Sequence, residues 1–176
     1  MIAPVQTIKC VQRTKKTQKN FCTITGSRDN LIELGLKCVQ QGTRTIIAID
    51  KKTDSKSRKS VIQIAESLKR LGIDVKIAFA GNTKGLKEFQ NGEGDLLVCT
   101  RIVENGIDIP AQDQDFVVIS TATKNGIDPA ATAQLQGRPR DAKSVTAILF
   151  CFGKGKILNG DTDFSIAKQL QSEFNK

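Results

Sequence analysis

The sequence predicts an α/β domain, a mostly parallel β-sheet with helices on both faces. Two observations carry that expectation. Short apolar runs at residues 45–49, 96–99, 116–120 and 145–151 show no alternation with polar residues, as in strands covered on both faces. Between several of them lie segments with apolar residues at helical spacing, punctuated by glycine. Strands alternating with helices favour parallel pairing through right-handed crossovers. The 176 residues suffice for one domain with a proper core, and no internal linker is evident, so residues 1–176 are read as a single domain.

Taken in order, residues 5–11 are a candidate strand. Residues 12–20 are polar and basic, a loop or arm, and residues 21–25 are a second short strand. Asp29 is expected as the N-cap of a helix whose apolar stripe is Leu31, Leu34, Cys38 and Val39, ended by Gly42. Strand 45–49 follows. Residues 50–59 read as a basic, hydroxyl-rich loop leading into a helix over 60–71, with Val61, Ile64, Ala65, Leu68 and Leu71 on one face and Gly72 at its end. Strand 75–80 turns through 81–83 into a short helix that carries Leu86 and Phe89. A glycine turn at 91–94 then opens strand 95–100. Beyond strand 116–120, residues 125–129 echo 105–110 as turn chemistry, and Pro129 suits the first turn of a helix over 130–136. Residues 137–140 break that helix, strand 145–151 follows, and residues 153–160 form a basic turn. Ile166, Ala167, Leu170 and Phe174 share one face of a last helix.

Charge is segregated. The first 60 residues hold 13 Lys and Arg against 4 Asp and Glu, and residues 61–176 hold 14 of each, so the whole excess of +9 lies in the first third. That asymmetry points to a polyanionic partner. Tyr and Trp are absent, so stacking on bases falls to Phe alone, and backbone contact is favoured over base reading. Histidine is absent and the 5 cysteines show no metal spacing, so no metal site is expected and the thiols read as reduced ones in an intracellular protein, cytoplasmic or nuclear. No run approaches the roughly 18 apolar residues of a membrane span, so no membrane partner is expected.

Ligands of open α/β sheets bind at the carboxyl ends of strands. Thr100, ending one apolar run, and Asp108, in Gly106-Ile107-Asp108-Ile109-Pro110 just beyond it, are therefore candidate site residues. The loop carrying Lys51, Lys52, Thr53, Arg58 and Lys59 stands at another strand end and leads into a helix N-terminus, where backbone N–H groups favour phosphate.

The stretch from Lys87 through Thr100 to Pro110 resembles motif V of superfamily two helicases. Gln134-Leu135-Gln136-Gly137-Arg138-Pro139-Arg140 resembles motif VI, and strand 45–49 stands where motif IV stands. The resemblance covers about residues 43–152. It implies a three-layer RecA-like domain of the P-loop NTPase type, the second motor domain of an ATP-dependent helicase or translocase. It further implies that Arg140 is the arginine finger and that Arg138 contacts the γ-phosphate or holds the motif. Gln134 would bridge toward the first domain, Gly106 and Asp108 would meet the nucleotide ribose, and Thr100 would donate to a nucleic-acid phosphate. Motif VI is commonly Gly-Arg-x-x-Arg, and here the second arginine comes one residue early, so either arginine remains open as the finger.

The chain contains no Gly-x-x-x-x-Gly-Lys-Ser/Thr and no Asp-Glu pair for magnesium. It thus reads as half a motor. ATP and Mg²⁺ are expected only together with a first RecA-like domain, to which residues 1–28 are the basic arm or link, and the chain alone is expected to be inactive. Nucleic acid is the expected partner, with DNA slightly favoured over RNA. The alternative reading is a non-catalytic nucleic-acid-binding or regulatory module on a helicase-like fold.

Overall fold

The computed structural model describes residues 17–49, 54–100, 109–111, 113–121 and 139–152. Their strands are β1 (Gln18–Gly26), β2 (Arg44–Ile49), β3 (Val75–Ala78), β4 (Leu96–Thr100), β5 (Ile109–Pro110), β6 (Asp115–Thr121), β7 (Pro139–Arg140) and β8 (Ser144–Phe152). The helices are α1 (Arg28–Gln40), α2 (Asp54–Arg70) and α3 (Lys84–Gln90). A 6-stranded sheet runs in the order β1-β8-β6-β2-β4-β3, and β5 and β7 make a separate pair. Every pairing between these strands is parallel.

The unbroken apolar runs have a simple cause. Successive residues of a strand point to opposite faces, and here both faces are covered. Ile47, Ile49, Val98, Ile119 and Phe150 pack in one layer with Leu31 of α1 and Val61, Ile64 and Leu68 of α2. Ile46, Ala48, Leu97, Cys99 and Val118 pack in the other with Leu86 and Phe89 of α3 and with Ile109, Ala111 and Ala142. The result is the RecA-like layering that the sequence predicts.

Several element boundaries differ from the sequence reading, three of them by enough to matter. The cap of α1 is Ser27, not Asp29. Its hydroxyl accepts from the Asn30 N–H at 3.2 Å while its own N–H donates to Asn30 Oδ1 at 2.9 Å, a capping box that satisfies two donors at once. Asp29 sits in the first turn, where a carboxylate favours the helix dipole. The helix α2 begins at Asp54, so residues 54–59 are helical rather than loop. Ser57 is buried one turn before Val61 and extends the apolar stripe backwards, and the lysines and arginine around it are good helix formers. Residues 18–20, expected in a loop, belong to β1, which pairs with β8 along its whole length. Part of the expected 1–28 arm is thus an edge strand of the sheet. The candidate strand at 5–11 and the helices at 130–136 and 166–174 lie outside the described residues.

Among the described cysteines Cys38, Cys99 and Cys151 are buried, Cys22 is exposed, and none forms a disulfide. Among the described residues no helix is long and apolar enough to cross a membrane.

Arg44 clamps the amino-terminal edge. Its guanidinium lies over the Phe89 ring at 3.7 Å and 5.6 Å from the Phe116 ring, and its Nη2 donates to the carbonyls of Phe89, Glu93 and Gly94 at 2.8, 3.2 and 3.3 Å. One side chain thus ties β2 to the end of α3 and the turn before β4. Burial lowers its pKa from the ordinary arginine value, and Asp95 opposes part of that shift. Arg44→Ala removes these hydrogen bonds and the stacking, and is expected to cost about 2–4 kcal/mol. That corresponds to roughly 5–15 °C in Tm. Arg44→Lys keeps the charge without the planar fork and recovers only part of the loss. Thermal melts of both variants check this, and an unchanged Tm for Arg44→Ala would contradict it.

Candidate functional site

The two sequence blocks that carry motif character meet in space. Ile109 pairs with Pro139 and Pro110 with Arg140 in the β5–β7 ladder. The Ala111 N–H donates to the Arg140 carbonyl at 2.9 Å, and the Asp113 N–H to the Asp141 carbonyl at 2.9 Å. Ile109 and Ala111 are fully buried in the α3-side layer, with Ala142 close to it. The backbone of Arg140 is therefore pinned on one side by the ladder and on the other by a core residue two positions on, while its side chain is exposed. Asp113 and Asp141 both adopt left-handed backbone, φ 61° and 59°. Asp tolerates that region better than most residues, and the pair turns the chain sharply just after each short strand. Four residues take Arg140 to the start of β8 and five take Pro110 to the start of β6. The ladder thus sits beside the amino-terminal ends of those strands.

Thr100 lies elsewhere. It ends β4 at the carboxyl edge of the sheet, paired in register with Ile49, and is half-buried, so its hydroxyl sits at the rim rather than in the core. The structure therefore separates two expected contacts. Arg140 belongs to the α3 side, and Thr100 to the strand-end edge.

Arg58 and Lys59, expected together on a loop, are both exposed on α2 and diverge. Arg58 leans toward β3, with its guanidinium 5.0 Å from the Phe79 ring centroid and Nη2 donating to the Ala80 carbonyl at 3.4 Å. Lys59 faces the other way, into a cleft of about 500 Å³ lined also by Arg28, Lys56, Ser60, Gln63, Ile64 and Phe152. A one-residue step on a helix turns the side chain by about 100°, so adjacent residues cannot share a target. Sequence reading missed Arg28 and Phe152. Nothing local marks them, because they become neighbours only when β1 pairs with β8 and brings Gly26 opposite Phe152.

Gly106, Asp108, Gln134, Arg138, Lys51, Lys52 and Thr53 lie outside the described residues.

The helicase conserved C-terminal domain model matches residues 26–142, and the chain belongs to that family. The transcription-repair-coupling factor of Bacillus subtilis (strain 168) is 31% identical over 101 residues, which are 53% of this chain and 8% of that protein. The chain thus spans a small part of the length of this curated relative. Among solved structures, S. cerevisiae Dbp5 bound to RNA and ADP BeF3 matches 89% of this chain and 39% of its own with TM-score 0.61 and 21% identity. The E. coli DEAD-box protein SrmB, bound to regulator of ribonuclease activity A, matches 90% of this chain and 85% of its own with TM-score 0.58 and 20% identity. These likenesses establish the fold.

Proposed function

We propose that this chain is the second motor domain of an ATP-dependent nucleic-acid helicase or translocase, and that it supplies the arginine finger and part of the nucleic-acid track. The observation that carries the reading is the β5–β7 ladder, which holds Arg140 against the end of the motif V block. A group that stabilises charge in a transition state acts best when its position is fixed beforehand. The ladder fixes the Arg140 backbone, and its side chain is exposed. Arg138 and Gln134 extend the same motif, with Arg138 on the γ-phosphate and Gln134 toward the partner domain. Gly106 and Asp108 serve the nucleotide ribose.

ATP and Mg²⁺ are bound together with a first RecA-like domain, which supplies the phosphate loop and the magnesium carboxylates. This chain's own contribution is positive charge placed where negative charge develops. Nucleic acid runs along the carboxyl edge, where Thr100 donates to a phosphate and Lys51, Lys52, Thr53, Arg58 and Lys59 add cationic and hydroxyl contacts. The tilt toward DNA gains no support from the relatives, one of which is bound to RNA, and we propose nucleic acid without that preference. The reading places the protein inside the cell, with reduced thiols.

Thr100 offers a direct test of the track. Thr100→Val removes the hydroxyl and keeps the shape of a half-buried strand end. Loss of one hydrogen bond to a charged phosphate is expected to weaken nucleic-acid binding about tenfold. Fluorescence anisotropy with a labelled single strand measures it, and an unchanged affinity would remove Thr100 from the track.

A further inference from the structure

The cleft between α1 and α2 brings Arg28, Lys56 and Phe152, which the motor reading does not assign, beside Lys59, which it places on the track. It opens at the carboxyl edge of the sheet, where β1 and β8 end and α1 and α2 begin. Its floor is Ile64, which is 1% exposed. Arg28, Lys56 and Lys59 line it, and among its described lining residues none is acidic. The Arg28 guanidinium is steadied by a 2.6 Å hydrogen bond from Nη2 to Gln63 Oε1, and it carries further N–H donors beyond that bond. At the rim stands Phe152, 37% exposed and braced edge-on by the buried Phe150 ring at 5.3 Å and 70°. Three cations around a cavity with a braced aromatic rim are the combination that binds single-stranded nucleic acid, charge for the backbone and a ring face for a base.

The position is consistent with that chemistry and separate from the Arg140 site. Ile64 belongs to the layer under α1 and α2, whereas Ile109 and Ala142 beside Arg140 belong to the layer under α3, so the sheet stands between them. Along the carboxyl edge, however, the cleft and Thr100 are neighbours. Three strand spacings separate β4 from β8 in the order β8-β6-β2-β4, about 14 Å at about 4.8 Å each. That span lies within the reach of a single-strand site several nucleotides long.

We propose that the Arg28/Lys56/Lys59/Phe152 cleft is a second contact for single-stranded nucleic acid, with the three cations on backbone phosphates and Phe152 against a base. The inference rests on the nucleic-acid part of the proposed function and extends it beyond the motif residues. It also accounts for part of the basic excess of the first third, since Arg28, Lys56 and Lys59 come from that segment.

The test is a salt titration of the full chain with a fluorescein-labelled oligothymidylate about 12 nucleotides long, within the range of single-strand site sizes. Each phosphate contact on a single strand contributes about 0.7 to the slope of log affinity against log salt. The triple variant Arg28→Gln/Lys56→Gln/Lys59→Gln is expected to flatten that slope by about 2. Phe152→Leu keeps the apolar packing on Phe150 and is expected to weaken binding about tenfold with the slope unchanged. Thermal melts accompany both variants, and the exposed triple site is expected to leave Tm within about 2 °C. If the unmodified chain binds and both variants bind identically to it, the cleft proposal is overturned while the Thr100 track stands. If the unmodified chain binds no oligonucleotide at low salt, the nucleic-acid reading itself falls. If polyglutamate of equal charge displaces the oligonucleotide at equal concentration and Phe152→Leu has no effect, the cleft takes an acidic protein segment, and the proposal is overturned in that direction.

Discussion

Arg140→Ala, in the protein joined to its first RecA-like domain, is expected to lower ATP turnover by about three to five decades. The magnitude follows from where the residue acts. An arginine finger meets charge that appears only as the phosphoryl group transfers, so its removal shows in kcat far more than in KM. Arg140 is held through its carbonyl, which accepts from Ala111, and through Pro139, which is buried, and none of these is touched by cutting the exposed side chain. A surface truncation of this kind costs about 0.5 kcal/mol or less in stability, so the melt should barely move. Arg138→Ala is expected to weaken nucleotide affinity as well, because a ground-state γ-phosphate contact is lost along with any effect on rate. Steady-state kinetics on both variants decide the register of the shortened motif. Wild-type kcat in Arg140→Ala with loss in Arg138→Ala would make Arg138 the finger. Wild-type kcat in both would favour a non-catalytic module.

Gly85→Ala should destabilise the domain strongly, against the usual sign. In an ordinary helix that exchange gains about 1 kcal/mol, because alanine loses less backbone entropy. Here α3 crosses β3 so closely that a Cβ on Gly85 would fall onto the Ile77 carbonyl oxygen and 2.8 Å from the Ile77 nitrogen. Both are backbone atoms of a paired strand and have no rotamer to escape into. Either β3 shifts or α3 lifts, and lifting withdraws Leu86 and Phe89, 2% and 0% exposed, from their layer. Overpacking combined with lost burial is expected to cost about 3 kcal/mol or more, a fall of roughly 6–12 °C in Tm. Because α3 leads through one turn into β4, weaker nucleic-acid binding should follow the loss of fold. A raised Tm would mean that α3 does not approach β3 in this way.

The central strands were legible because their chemistry is one-sided in neither direction. Ile46, Ile47, Ala48 and Ile49 point alternately to two covered faces, and only a doubly layered parallel sheet makes such a run sensible. The ends of elements were less legible. Gln18 and Asn20 look like loop residues, yet β1 lies at the sheet edge, where exposed polar side chains cost nothing. The start of α2 hides in Asp54-Ser55-Lys56-Ser57-Arg58-Lys59, where the only inward signal is one buried serine. At Ser27-Arg28-Asp29-Asn30 two side chains compete for the cap, and the reciprocal bond with Asn30 decides for Ser27. Thr100 lies at a rim and Arg140 is exposed, positions that a strand end and the Gly-Arg-Pro-Arg stretch signal locally. Their arrangement was not legible, because β5 and β7 are 2 residues each, too short for any periodicity. The Arg28–Phe152 cleft depends on pairing across more than a hundred residues, which no local pattern encodes.

The most direct measurement of the central claim is nucleic-acid-stimulated ATP hydrolysis by this chain alone and by this chain joined to a first RecA-like domain that carries a phosphate loop. The chain alone, whose sequence holds no such loop, is expected to stay at background with or without nucleic acid. The joined protein is expected to turn over at a rate that rises with added single strand, and to lose that turnover on Arg140→Ala. Robust hydrolysis by the pure chain, or a joined protein indifferent to Arg140, would contradict the account.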